Sequence, residues 1–186
     1  MIFRARQRWE PGAADSMLLS LSELELDLLQ TLPDEMRTVL LTSDDDPARQ
    51  RLFPRAYSNP MSDREDAEWR ESVYPDLVDQ RFEALDLVAR TLDRAEVSGR
   101  DAEWREVTLT ADEVQVWLAV LNDVRLVLGT RLGITDDHAG VDDDDPDAPA
   151  WEFYDWLTHL QGSLVETLLG DFDESALLDD DDEDDE

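Results

Sequence analysis

The sequence predicts a mainly α-helical fold: a helical bundle around one buried central helix, with a small antiparallel sheet of two or three strands. Three observations carry this. Apolar residues recur at three- and four-residue spacing in four separate stretches. Two capping boxes, Ser22 with Glu25 and Thr110 with Glu113, mark helix starts directly after short β-prone runs. The stretch from Asp112 to about Leu132 is apolar almost all the way round, the pattern of a helix enclosed by others.

Taken in order, Phe3, Ala5, Gln7 and Trp9 alternate with Arg4, Arg6 and Arg8, a period-2 pattern for a short strand with an arginine face. That face is a possible basic contact for phosphate or an acidic partner. Pairing with the chain's own abundant carboxylates is the simpler reading. Met17–Leu21 is a second strand. It leads through the Ser22 cap into a helix with Leu24, Leu28, Leu29 and Leu32 on one face. Pro33 then breaks this helix or starts the next, from Asp34 to about Leu41. Asp44–Asp46 with Pro47 mark a loop or a fresh helix start, and 52–60 is irregular. A short polar helix over Ser62–Ser72 precedes a stronger one after Pro75, with Val78, Phe82, Leu85, Val88, Ala89 and Leu92 on its face and Gly99 past its end.

Trp104–Leu109 is a third β-prone stretch, and Thr110 caps the central helix, which Gly133 stops. Val114, Trp117, Leu118, Leu121, Val124 and Leu128 line one face of that helix. The last helix runs from about Ala150 to Leu169, with Trp151, Tyr154, Leu157, Leu160, Leu164 and Leu168 as its face. Leu19–Glu25 echoes Val107–Glu113 class for class, 88 positions later. Strand-to-helix junctions favour these residue types anyway, and that reading is preferred to a duplicated half-domain. Either way the strands should lie together, because a lone strand has no ladder partner.

The chain has 186 residues and a net charge of −32. A hydrophobic fraction of 41% is enough for a core, so the whole is not an acidic disordered polymer. The charge is uneven. Residues 1–135 hold 27 acids and all 16 arginines, a net of −11, whereas 136–186 hold 21 acids and no cation, a net of −21. The organisation read from this is a single domain over 1–170 with an internal acidic loop at 136–149, then a disordered acidic tail over 171–186. Such acidity repels DNA and anionic lipid, so no direct nucleic-acid or membrane partner is expected. No stretch approaches the length of a membrane span. The N-terminus lacks the apolar segment of a signal peptide, so a cytoplasmic protein is expected.

No cysteine is present, which removes disulfides, thiolate catalysis and zinc–thiolate sites. His138 beside Asp136, Asp137 and Asp142–Asp145 does not make a metal site: zinc needs several nitrogen or sulfur ligands, and the calcium-loop pattern is absent. His159 reads as a partly exposed polar residue of the last helix. No phosphate loop, nucleophile elbow or H-E-x-x-H occurs, and no carboxylate pair stands out as an acid/base couple. Neither an enzyme nor a cofactor is expected. The tryptophans read as core or interface anchors.

The most informative polar cluster is Asn122, Asp123, Arg125 and Arg131, inside the apolar central helix. Charges there are costly unless paired. Asp123 and Arg125 cannot face each other on a helix, so each needs a partner on another element, for example a carboxylate for Arg125. A structural ion-pair network is the preferred reading over a binding site.

Thr110-x-x-Glu113-x-x-x-Trp117-Leu118, the run Leu121-Asn-Asp-Val-Arg-Leu-Val-Leu-Gly-Thr-Arg-Leu-Gly133, and Trp151-x-x-Tyr154-x-x-Leu157 resemble an actinobacterial helical family. It is known as domain of unknown function 2017 and described as AosR-like oxidative-stress regulators. The resemblance covers roughly residues 1–170. It implies a non-enzymatic regulator tied to oxidative stress and a gene neighbour encoding the ClpS proteolytic adaptor. Without cysteine, a thiol switch cannot operate in this chain. The expected function is therefore stress- or transcription-related regulation through a protein partner, possible partners being the transcription machinery or the Clp system. An accessory role in ClpS-linked proteolysis is the alternative, and a small enzyme comes third.

Overall fold

The structure is a computed structural model that describes residues 7–8, 16–56, 62–97, 104–134 and 146–176, with side chains from Ser16 to Leu169. The elements in order are β1 (Gln7–Arg8), β2 (Ser16–Ser22), α1 (Glu23–Leu40), α2 (Pro47–Leu52), α3 (Asp63–Leu92), β3 (Glu96–Val97), β4 (Trp104–Thr110), α4 (Ala111–Arg131) and α5 (Ala148–Ala176). The fold is mainly α with a small antiparallel sheet, as the sequence predicts. The sheet has four strands in the order β1-β2-β4-β3, one more than expected. The extra one, β3, is two exposed residues, too short to leave an alternation pattern.

Both capping boxes form. Ser22 Oγ accepts from Glu25 N–H while Glu25 accepts from Ser22 N–H, and Thr110 and Glu113 repeat the exchange. Each box turns a strand straight into a helix, so α1 and α4 lie back over the sheet. Met17, Leu19 and Leu21 of β2 meet Leu109 and Val107 of β4 on the buried face. α3 packs on α1 and α4, α5 packs on α4, and α2 packs on α4. The core gathers Leu29, Leu40, Leu85, Leu92, Trp117, Leu121 and Leu157, all almost fully enclosed. Each such side chain contributes about 1.5–3 kcal/mol. Inside it, Trp117 Nε1–H donates to Thr91 Oγ1 at 2.9 Å, which satisfies two buried polar groups at once.

Both internal prolines depart from the sequence reading. α1 runs unbroken through Pro33, and α3 is one helix of 30 residues through Pro75, not two helices. Each proline removes an N–H that would have bonded the carbonyl four residues back, a loss of about 3 kcal/mol in a helix interior. At Pro33 core packing of Leu29, Leu32, Met36 and Val39 offsets it; Pro75 is itself exposed, and the partly buried Tyr74, Leu77 and Val78 beside it pack against the core. α5 is longer than predicted at both ends. It starts at Ala148, inside the expected loop, because Pro149 sits in the first turn, where its missing N–H costs nothing. It ends at Ala176, beyond the expected boundary at 170, with no later proline to stop it. The acidic run 136–145 and residues 177–186 lie outside the described residues. Among the described residues no helix is long and apolar enough to cross a membrane.

The echo at an advance of 88 is more than a shared junction preference. Adding 88 to Gln7↔Leu19 of the β1–β2 hairpin gives 95↔107, the register line of the observed Glu96↔Glu106 pair of β3–β4. The same advance carries Glu23, which starts α1, to Ala111, which starts α4, and Arg37 to Arg125. The two halves are thus β-β-α-α units arranged two-fold about the Leu19↔Val107 pair, with α2 inserted in the first. The halves diverge where the site lies.

Candidate functional site

α1, α3 and α4 leave a cleft of about 310 Å³ between them. Its walls are Met36 and Leu40 of α1, Ala84 and Leu85 of α3, and Ala119 and Val120 of α4. These positions recur at helical spacing, so each helix turns one apolar stripe inward. Gln80, Arg81, Asn122 and Asp123 add the polar groups. α4 is central but not wholly enclosed: Asp112, Gln115, Ala119 and Asn122 form an exposed stripe that ends at the cleft.

Arg81 Nε donates to Asp123 Oδ2 at 2.9 Å, with the side chains 25% and 18% exposed. The guanidinium also lies 4.6 Å above the Phe53 ring and donates to the carbonyls of Leu52 at 3.3 Å and Leu77 at 3.4 Å. Arg81 is therefore held from four sides. Burial pushes the Asp123 carboxyl above the usual carboxylate range, and Arg81's charge and hydrogen bond offset only part of that. Among the described residues, Asp123 Oδ1 takes no hydrogen bond. A second arginine buttresses the site. Arg49 of α2 donates to Tyr74 OH at 2.8 Å and to the carbonyls of Leu40 and Thr42, tying α2 to the end of α1 and to α3. The Phe53 and Tyr74 rings meet at a tilt of 49° with centroids 4.5 Å apart; the Arg49 guanidinium lies against both rings and that of Arg81 against Phe53.

The polar cluster read from the sequence divides. Asn122 and Asp123 face the cleft, and Asp123 finds its partner on another element, as the helix geometry requires. Arg125 points the other way, to α5, and the expected carboxylate is replaced. Its Nη1 donates to Gln161 Oε1 at 2.6 Å, Nη2 lies 3.5 Å from Tyr154 OH, and the guanidinium stands 5.3 Å from the Tyr154 ring centroid. An amide oxygen and a π face supply the negative potential that a carboxylate supplies at Arg37, its counterpart in the first half, which pairs with Asp34 and Asp86. Arg125 Nε is buried with no hydrogen-bond partner among the described residues. Arg131 is exposed in the last turn of α4, apart from all of these, where a cation complements the helix carboxyl end.

Of the arginine face, Arg4 and Arg6 lie outside the described residues; Arg8 is in β1, paired with Leu18. His138 also lies outside them. His159 is exposed on α5, with Nδ1 2.8 Å from the Asp155 carbonyl. Trp117 and Trp156 are buried, and Trp69, Trp104 and Trp151 are half-buried. Among the described residues no three metal-binding side chains cluster.

Arg81 is the residue that sequence reasoning missed. Its signal was present: it sits between Leu77 and Ala84 on the flank of the α3 apolar face, where a cation needs a partner.

A profile of the family described as Domain of unknown function (DUF2017) matches residues 5–168. The chain belongs to this family. No curated protein and no solved structure matches it. The family match spans both halves of the two-fold arrangement, from before β1 to the last turns of α5, and so includes every residue of the cleft.

Proposed function

We propose that this chain is a non-enzymatic, cytoplasmic regulator of the AosR-like kind. It acts through a protein partner with a basic surface and not by binding DNA. The observation that carries this reading is the cleft itself: apolar walls and a charge pair already committed to each other, in a chain of net charge −32. A catalytic couple needs two groups with environments that drive their pKa values apart and a space between them. Here Asp123 is bonded to Arg81, and Arg81 is anchored by backbone carbonyls and a ring. On α1 and α3, Asp34, Asp79, Glu83 and Asp86 are exposed, Asp34 and Asp86 in ion pairs with Arg37, and the whole chain carries a net charge of −32. Such a surface attracts basic protein surfaces and competes with nucleic acid for them. The stress or transcription context rests on the resemblance of the central helix. With no cysteine in the chain, control comes through binding and not through a thiol.

The test is affinity capture from native cells, using the full chain and a chain ending at Ala176, which keeps α5 whole and removes the run Asp179–Glu186. The expected result is a component of the transcription machinery held at about 50 mM salt, released by about 500 mM and held more weakly by the shortened chain. Retention that ignores salt, or no retained protein, overturns the reading. Capture of ClpS in its place moves it to proteolysis.

A further inference from the structure

We propose that the cleft between α1, α3 and α4 seats one arginine or lysine side chain of the protein partner. The aliphatic stem lies along Ala84 and Ala119, and the cationic head meets Asp123 Oδ1. This rests on the partner-binding reading above and names what the partner brings.

Four observations carry it. The cleft joins apolar groups to the side chains of Asn122 and Asp123, a combination that suits a long stem with a charged tip. Asp123 offers an oxygen that takes no hydrogen bond among the described residues, and Arg81 cannot turn to serve it, being held by Asp123 Oδ2, the Phe53 ring and two carbonyls. An apolar occupant would cover that oxygen and leave it without a donor, at a cost of about 1–3 kcal/mol. An anionic occupant would set an acceptor against Asp123 Oδ1 with no donor between them, because Arg81 is already bonded to Asp123 Oδ2 and to two carbonyls. A cation supplies the donor that Asp123 Oδ1 lacks and suits a chain of net charge −32, and the exposed Asn122 amide on the cleft lining supplies a further acceptor.

The two-fold arrangement shows that this site exists once. The advance of 88 carries Glu35 to Asp123, yet Glu35 is exposed on α1. Along the second helices, Asp86 and Gln161 contact the equivalent arginines, an advance of 75. That advance carries Arg81 to Trp156. Among the described residues the charge pair and its open oxygen therefore occur once, between α3 of the first half and α4 of the second.

The experiment is a titration of the full, 15N-labelled chain followed by amide NMR, with N-acetyl-arginine methylamide, its lysine analogue and its norleucine analogue as probes. A cationic probe is expected to saturate shifts at residues 80–85 and 119–123, with norleucine binding about tenfold more weakly. Asp123→Asn should weaken the arginine probe by about tenfold or more. Ala119→Phe fills the cleft from an exposed position, leaves the Arg81–Asp123 pair in place and should do the same. Equal binding of norleucine, no effect of either variant, or shifts confined to the acidic stretches at 136–147 and 177–186 overturns the proposal. If cell capture succeeds and the probes fail, the cleft assignment falls and the partner reading stands; the reverse result separates them the other way.

Discussion

Replacing Arg81 by methionine and replacing Asp123 by asparagine should have very unequal effects, although each removes half of one ion pair. Arg81→Met leaves the Asp123 carboxylate, 18% exposed, without its cation. Breaking a fully buried pair from one side costs about 3–5 kcal/mol; water still reaches both groups here, so about 2–3 kcal/mol is expected. The lost contact with the Phe53 ring adds about 0.5–1 kcal/mol. Asp123→Asn keeps an oxygen for Arg81 Nε and removes a carboxylate whose ionisation burial already disfavours, so its effect at pH 7 should stay within about 1 kcal/mol.

The pH dependence follows from the direction of the shift. Asp123 holds its proton more tightly in the folded state. Its ionisation therefore lowers stability as pH rises from the usual carboxylate range through the raised value. Below that range both states are protonated and the cost vanishes. The gap between wild type and Arg81→Met should accordingly narrow on acidification. Urea unfolding followed by tryptophan fluorescence at about pH 7 and about pH 4 measures both effects. An Asp123→Asn variant as unstable as Arg81→Met, or a gap that stays constant with pH, refutes the reasoning.

Three further outcomes are expected. Ser22→Ala and Thr110→Ala each remove a cap and should cost about 1 kcal/mol, adding in the double variant, as urea midpoints will report; the caps lie at opposite ends of the β2–β4 pair. Burial raises the Glu113 carboxyl, but the Thr110 N–H and Arg94 outweigh it, and the net shift is downward. Glu113→Gln should therefore cost stability at neutral pH, and thermal melts should show that difference shrinking as pH falls through the lowered value. Thr91→Val leaves the buried Trp117 N–H without its acceptor and should cost about 1–3 kcal/mol, with a shift in tryptophan emission.

Where a structural feature depends on neighbours in sequence, it was legible. Ser22 and Thr110 stand three residues before a glutamate, and both caps form as that spacing implies. The central helix was legible because an apolar stripe on nearly every side has no place except among other elements. Asp123 was legible as a charge in want of a partner, but the partner lies 42 residues away on α3, and nothing local selects Arg81 over other arginines. Pro33 and Pro75 misled for the same reason. Local propensity favours a break, while tertiary packing, of buried residues about Pro33 and of the partly buried Tyr74, Leu77 and Val78 about Pro75, holds the helices whole. The cleft was not legible at all. It comes from three apolar stripes that fail to meet completely, and residue pattern along one helix says nothing about the gap to the next.

The most direct test of partner binding at the cleft is site-specific photo-crosslinking in the native cell. A benzoylphenylalanine replaces Gln115, which is exposed on α4 one turn before Ala119. Mass spectrometry then identifies the attached peptide. The account predicts a protein peptide with an arginine or lysine beside apolar residues, and loss of the crosslink when Asp123→Asn is added. No crosslinked protein, or a crosslink that Asp123→Asn leaves unchanged, contradicts it.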